Sequence, residues 1–247
     1  MQSNRLPPIV GLNPVSEAGF PDKVCPVIFL PGCNFKCPYC MNAAAVKWNK
    51  PAKYTPQEVL KYLQDNDEPD LLISGGEPCI HHGLENLISF FASEGIKVRL
   101  STNGSNPEML ADLLADQAVE FVAMDIKVNP LLPNSHPNFA VVSGDPDIAV
   151  NIRSSIFMLN GYVNTGADWL TVEYRTTLYP DIVNSEDVEV ISSMIPAKIQ
   201  YVLQQFRHAR KMLDDGARNV APYSDDKVKE ILANARVHHE KTDVRWP

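Results

Sequence analysis

The sequence lacks a membrane-spanning run: no apolar stretch in its 247 residues approaches the roughly 20 needed to cross a bilayer. The opening Met1-Gln2-Ser3-Asn4-Arg5 carries no apolar signal core, so a cytoplasmic protein with no membrane partner is expected. A basic excess is also missing. With 22 Lys and Arg against 30 Asp and Glu, the formal net charge is -8, which offers no broad positive surface to a phosphate backbone and argues against nucleic acid as a partner. Small molecules or a protein partner are favoured. Cysteine is scarce, five in all, and three of the five crowd into eight residues. That is not the framework of a disulfide-stapled secreted domain, and in a reducing compartment such a cluster reads as a set of metal ligands. Internal repeats and low-complexity stretches are absent, while a 45% hydrophobic content is enough for a real core.

What is present is an alternation of short β-branched runs with helical patterns, which argues for βα units and a mainly parallel sheet. Strands are expected at Val24 to Leu30, Leu71 to Ser74, Lys97 to Thr102, Phe121 to Ile126, Leu170 to Thr177 and Ile199 to Gln204. Thr55-Pro56-Gln57-Glu58 and Asn106-Pro107-Glu108 read as helix starts, and further helices are expected over Ile148 to Leu159, Ser185 to Met194 and Ser224 to Ala235. Periodicity alone leaves an incomplete barrel and an open sheet equally admissible. A single domain over 1–247 is expected, with 1–23 as an N-terminal extension and 207–247 as a C-terminal helix and tail. Residues 130–146, rich in Pro, Asn and Ser, are the best loop, flanking a site.

The chemistry begins just past the first expected strand, at Pro31-Gly32-Cys33-Asn34-Phe35-Lys36-Cys37-Pro38-Tyr39-Cys40-Met41-Asn42. Three thiolates spaced four and three residues apart can converge on one side of a loop, and thiolate is the soft ligand that iron-sulfur clusters and zinc prefer. Structural zinc needs a fourth protein ligand. Cys25, Cys79, His81 and His82 are candidates, but none repeats the paired spacing of zinc modules. A cluster with three cysteines leaves one iron open, which is a catalytic arrangement. A second motif, Ser74-Gly75-Gly76-Glu77-Pro78, follows an expected strand and so stands at a C-terminal strand end, where parallel α/β folds bind ligands. Glycine lets backbone approach a ligand closely and a carboxylate can accept from an ammonium group. A turn with an exposed acid is the plainer reading of the same residues.

Together Cys33, Cys37, Tyr39, Cys40 and the Gly75–Pro78 segment resemble the radical S-adenosylmethionine (SAM) superfamily, whose signature is Cys-x3-Cys-x2-Cys with an aromatic residue before the last cysteine. The resemblance implies a 4Fe-4S cluster on Cys33, Cys37 and Cys40, an open iron that chelates SAM, and a 5'-deoxyadenosyl radical made by one-electron cleavage of the sulfonium. It places Gly75, Gly76, Glu77 and Pro78 at the methionine amino group and Tyr39 near adenine. Pro31-Gly32-Cys33-Asn34-Phe35, Ser101-Thr102-Asn103-Gly104-Ser105, Val122-Ala123-Met124-Asp125-Ile126-Lys127, Tyr174-Arg175-Thr176-Thr177 and Tyr201-Val202-Leu203-Gln204-Gln205-Phe206 are further similar to the longer activating proteins of anaerobic ribonucleotide reductases. That narrower resemblance implies an α/β fold, a partial (β/α)6 TIM-like barrel, and a glycyl radical enzyme as partner, with flavodoxin or ferredoxin as electron donor. It also implies a monovalent cation site from Ser101, Thr102, the Ala123 backbone and Asp125.

Several residues carry two readings. Asp125 and Lys127, at period two on a strand end, can bind the two ends of a zwitterion or simply pair with one another. Arg175 can grip a carboxylate of the cofactor or serve Glu173 or Asp125. Asn103 can bond ribose or turn the backbone, and Asn42 can contact SAM or cap the cysteine loop. Ser101 stands at a strand end beside these. Met41 and the Gln204-Gln205 pair depart from the family, which places histidine near these points. Cys25 and Cys79 read as buried core thiols, His81 and His82 as solvent-facing or helix-capping, and 208–223, which departs from the family, either as a segment that sets partner or substrate choice or as a solvated charged loop. Two other functions stay open: a radical SAM enzyme acting on a small, nucleotide-derived molecule, and a non-catalytic zinc-binding module.

Overall fold

A computed structural model describes residues 6–16, 24–131 and 138–246. Parts of the expected extension (1–5 and 17–23), of the expected loop (132–137) and the last residue, 247, lie outside the described residues. In chain order the elements are β1 (Gly11–Ser16), β2 (Cys25–Leu30), α1 (Ala43–Val46), α2 (Pro56–Asp65), β3 (Asp70–Gly75), α3 (Leu84–Ser93), β4 (Lys97–Thr102), α4 (Pro107–Ala115), β5 (Phe121–Asp125), α5 (Phe139–Ser143), α6 (Ile148–Asn164), β6 (Thr171–Leu178), α7 (Ser185–Ser193), β7 (Gln200–Gln205), α8 (Asp225–His238) and β8 (Thr242–Arg245). Strands alternating with helices make this the expected α/β class, with parallel strands of the partial-barrel kind. The chain divides into two compact units, one formed within Met1–Asn34, Asn42–Thr102 and Glu108–Ala123, the other within Phe35–Met41, Asn103–Pro107 and Met124–Pro247.

In the first unit strand order follows chain order, β1-β2-β3-β4. The β2–β3 and β3–β4 pairs are parallel, and β1 runs antiparallel to β2. β2 and β3 are buried at nearly every position, as strands of a parallel sheet covered on both faces must be. Cys25 and Val27 of β2 pack with Leu72, Phe121 and Ala123, so the Cys25 thiol is the core residue expected. α2 starts on a capping box in which the Thr55 hydroxyl accepts from the Glu58 amide and the Glu58 carboxylate accepts from the Thr55 amide. The register Leu30↔Gly75 ends β2 and β3 side by side. The cysteine loop and the Gly-Gly-Glu-Pro turn therefore leave from neighbouring C-terminal strand ends.

In the second unit β6, β7 and β8 are parallel, with Arg175 opposite Val202. The Ile126 amide donates to the Arg175 carbonyl at 2.8 Å, and the Thr176 hydroxyl donates to the Ile126 carbonyl at 2.9 Å. These bonds fix the segment that carries Asp125 and Lys127 against β6. The 130–146 stretch is not loop throughout: Phe139–Ser143 form α5, with Phe139 and Val142 buried. The Val142 carbonyl accepts from the Lys36 amide at 2.8 Å, so α5 holds the cysteine loop.

Candidate functional site

The first unit carries Cys33, Asn42, the Gly75–Pro78 turn, Ser101 and Thr102. Past the last strand residues two more backbone bonds continue the β2–β3 pairing, from Gly76 N to Leu30 O and from Glu77 N to Gly32 O, both 2.9 Å. The approach is so close that only glycine fits. A Cβ on Gly76 would lie 1.5 Å from the Gly32 oxygen and 3.2 Å from Cys33 Cβ, and Gly75 combines a φ of +130° with a Cβ position 2.2 Å from the Leu30 oxygen. The turn is thus pressed onto the residue that begins the cysteine loop. Asn42 closes the same corner, its Nδ2 donating to the Gly75 carbonyl at 2.8 Å.

Glu77 is not the exposed acid of a plain turn. It is 1% exposed, and its Oε1 accepts from the Cys79 amide at 2.9 Å and from the Thr102 hydroxyl at 2.7 Å. The carboxylate caps the short 3-10 turn Pro78–Ile80 and braces it to the end of β4. Pro78 and Cys79 are buried there, and burial, aided by the adjacent Glu77 carboxylate, pushes the Cys79 thiol well up. His81 departs from expectation: it is half-buried, with Nε2 2.7 Å from the Pro31 carbonyl oxygen, and burial lowers its pKa. His82 is exposed as expected. Ser101 is half-buried beside Thr102 at the end of β4.

The second unit carries Cys37, Tyr39, Cys40, Asn103, Asp125, Lys127 and Arg175. Cys37 is buried and Cys40 half-buried, joined by a tight turn in which the Cys40 amide donates to the Cys37 carbonyl at 3.0 Å. Burial pushes the Cys37 thiol up to about 11 even though the Lys127 ammonium pulls the other way. At neutral pH such a thiol keeps its proton until a metal ion takes the proton's place. Tyr39 is buried, and its ring packs at 5.0 Å on that of Tyr179. Asn103 Oδ1 accepts from the Ser105 amide at 2.9 Å.

Asp125, Lys127 and Arg175 form one ionic group. The Arg175 guanidinium reaches Asp125 through Nε at 3.1 Å and Nη2 at 3.2 Å, and Lys127 Nζ lies 3.3 Å from Oδ2. Arg175 Nε is also 4.0 Å from Glu173, which Arg245 approaches to 3.4 Å. Burial works to raise the Asp125 carboxyl, but Arg175 and then Lys127 outweigh it and hold it below its ordinary value. For Lys127, burial lowers and Asp125, with the Cys37 and Cys40 thiols, raises; the net is upward. Two cations on one carboxylate leave an excess positive charge within the second unit, suited to a carboxylate ligand or to sulfur held as thiolate.

The Asp125 shift makes a stability prediction. A carboxyl depressed in the folded state adds stability above its unfolded pKa of about 4, and that contribution is lost as pH falls through the folded pKa. Asp125→Asn should therefore cost about 3 kcal/mol near pH 7, because it removes the carboxylate shared by buried Arg175 and half-buried Lys127, and progressively less as the solution is acidified below pH 4. Thermal unfolding of both proteins between pH 7 and 2 reads this; a deficit that stays constant down to pH 2 removes the ionic account.

Among the described residues no group of three or more His, Cys, Asp and Glu side chains is gathered to hold a single metal ion. A cubane gives each thiolate its own iron, so a cluster-binding loop needs no such gathering. Within the second unit the buried Cys37 thiol and the half-buried Cys40 suit sulfur ligation, and within the first unit the glycine cradle at Cys33 lets backbone approach a ligand closely.

Comparison with known proteins agrees with this chemistry. Residues 27–129 match the family model for the Radical SAM superfamily, and this segment is a radical SAM domain; the superfamily works with a 4Fe-4S cluster and SAM. The chain is 27% identical over 238 residues, 96% of its own length and 95% of the other, to a Methanocaldococcus jannaschii protein named as a proposed glycyl-radical enzyme activating enzyme. A second protein of that organism with the same description is 29% identical over 187 residues, covering 73% of this chain and 66% of the relative. Among solved structures, Streptococcus suis SuiB with bound SAM superposes with a TM-score of 0.61 at 14% identity, over 90% of this chain. The chain spans about half the length of that structure, 51%, and the likeness supports the fold.

Proposed function

We propose that this protein is a radical SAM activase that cleaves SAM reductively and takes a hydrogen atom from a glycine Cα of a partner glycyl radical enzyme, anaerobic ribonucleotide reductase being the expected partner. The observation that carries the reading is the register Leu30↔Gly75, which starts the Cys-x3-Cys-x2-Cys loop and the Gly-Gly-Glu-Pro turn from adjacent strand ends. Similarity over nearly the whole chain to proposed activating enzymes favours a protein substrate. Cys33, Cys37 and Cys40 would hold the cluster, which when bound supplies one electron and an open iron for the amino and carboxylate groups of SAM.

The remaining work belongs to the chain. Gly75 and Gly76 bring backbone to the ligand without a side chain in the way, while Glu77, its carboxylate engaged by Cys79 and Thr102, keeps that backbone in place. Lys127 and Arg175 offer positive charge to a carboxylate, with Asp125 setting their positions and available to an ammonium group. Tyr39, buried on Tyr179, provides an aromatic wall for adenine and helps exclude water. In the first unit Asn42 holds Gly75 and Ser101 stands at the end of β4, and in the second Asn103 bonds the Ser105 amide; their cofactor roles are those the family resemblance implies.

The deciding experiment mixes anaerobically reconstituted protein with a candidate reductase, SAM and a reductant and records the electron paramagnetic resonance spectrum. A glycine-centred doublet is expected. SAM cleavage without any doublet, accompanied by conversion of a nucleotide-derived compound, selects the small-molecule enzyme instead, and zinc without iron or sulfide in the purified protein ends both.

A further inference from the structure

The segment after β7 carries exposed charge, as a solvated loop does, and its backbone is also tied to the rest of its unit. Arg207, His208, Arg210 and Lys211 are exposed in succession, and among the described residues the three cations form no ion pair. In a chain of net charge -8, residues 207–211 hold three positive charges and no carboxylate. Two exposed acids, Asp214 and Asp215, follow, and with Arg218 the stretch 207–218 still holds four Lys and Arg against two carboxylates. Asp214 Oδ1 accepts from the Gly216 amide at 2.8 Å, and Asp215 lies 3.5 Å from Arg218, whose Nη2 donates to the Arg210 carbonyl at 2.8 Å. His208 Nε2 lies 2.9 Å from the Val220 carbonyl oxygen and helps close the loop.

This basic stretch is fastened to the cysteine loop itself. The Leu213 amide donates to the Cys40 carbonyl at 3.0 Å and the Asp214 amide to the Pro38 carbonyl at 3.1 Å, with Met212 buried between the charges and the bonds. Aromatic packing makes a second link. His208 meets Phe206 edge-on at 5.4 Å, Phe206 meets Tyr179 at 4.8 Å, and Tyr179 meets Tyr39 at 5.0 Å; Tyr39 directly precedes Cys40. A surface cation cluster is thus two backbone bonds and a short run of packed rings from a cluster ligand, all within one compact unit.

We infer that Arg207, Arg210 and Lys211 form the docking surface for an acidic one-electron carrier protein. The inference rests on the reading of Cys33, Cys37 and Cys40 as cluster ligands. Charge decides the class of partner: a positive patch on an otherwise negative protein steers a negative one and repels positive ones. Attachment decides the role, because a protein delivering an electron must approach the cluster loop, and this segment is hydrogen-bonded to that loop's own backbone. In the transfer the reduced carrier loses one electron and the oxidised cluster gains it, with no bond made or broken and no proton moved.

The test compares reconstituted wild-type protein with the triple variant R207E/R210E/K211E, reduced by an acidic flavodoxin in its reduced form or by dithionite. Bleaching of the cluster absorbance in stopped flow gives the rates, and electron paramagnetic resonance counts the reduced clusters. At low ionic strength flavodoxin should reduce the variant at least tenfold more slowly than the wild type, while dithionite reduces both alike; raising the salt should slow the wild type towards the variant. Equal flavodoxin rates, or a wild-type rate indifferent to salt, overturn the inference. So does a variant that keeps its flavodoxin rate and instead loses binding of the glycyl radical enzyme, since the patch would then serve that partner. Wild-type protein that assembles no cluster defeats the underlying reading, and a cluster reduced normally by dithionite but indifferent to the patch defeats only the docking surface.

Discussion

Cys37→Ala should reduce SAM cleavage to background, and Cys33→Ala and Cys40→Ala should do the same. Each change removes one of the three sulfur ligands that the cluster reading requires. Cys37 is the most telling position because its thiol is buried and pushed up to about 11. A thiol so placed is a poor nucleophile and a poor surface ligand, so its loss matters only if a cluster forms against it. Cys25→Ala is the control. That thiol is also buried and also pushed up to about 11, yet it packs with Val27, Leu72, Phe121 and Ala123 and faces only core. It should keep a full complement of iron and sulfide and full cleavage, at a cost in stability of about 1 kcal/mol. Product analysis for 5'-deoxyadenosine beside iron and sulfide assays gives the answer; undiminished cleavage by a cleanly reconstituted Cys37→Ala protein would falsify the ligand assignment.

The contrast between Cys25 and Cys37 shows what sequence could and could not say. Both the Cys33–Cys40 spacing and the Gly75–Pro78 turn were legible, because local spacing encodes a loop and a strand end. The six expected strands correspond to β2 through β7, where buried parallel strands write nearly continuous apolar runs. β1 and β8 were passed over. β1 contains Asn13, Pro14 and Ser16, a composition tolerated on a strand paired along one side, and β8 has four residues, too few for periodicity to speak. α3 was missed although Leu84, Leu87, Ile88 and Phe91 show the 3.6-residue rhythm; it begins at a left-handed Gly83 without the polar cap that marked α2 and α7.

What sequence could not supply is the choice between paired readings, since that depends on residues distant along the chain. Arg175 and Asp125 are 50 residues apart and meet because the end of β5 lies on β6. Glu77 has its partner Thr102 on another strand end, which turns what reads as the exposed acid of a simple turn into a buried brace. The 208–223 stretch looked solvated because its side chains are charged. Its backbone makes the connection to Pro38 and Cys40, and backbone bonds leave no trace in composition.

Gly76→Ala should be the most disruptive single methyl in the protein. Most glycine-to-alanine changes are mild, and in a helix they help: Gly161, inside α6 with nothing within 4 Å of an added Cβ, should gain about 0.5–1 kcal/mol as alanine. At Gly76 the added carbon would sit 1.5 Å from the oxygen and 2.4 Å from the carbonyl carbon of Gly32, both backbone atoms that no rotamer change can move. Relief requires separating the turn from the cysteine loop, which breaks the bonds from Gly76 to Leu30 and from Glu77 to Gly32 and uncovers Glu77. The expected loss is about 3 kcal/mol or more in the cluster-free protein, at or above the usual range for overpacking. Denaturant unfolding of apo Gly76→Ala beside apo Gly161→Ala measures this without reference to activity. A Gly76→Ala protein as stable as the wild type would mean that the two strand-end segments are not pressed together, and the geometry from which the cofactor site was argued would go with it.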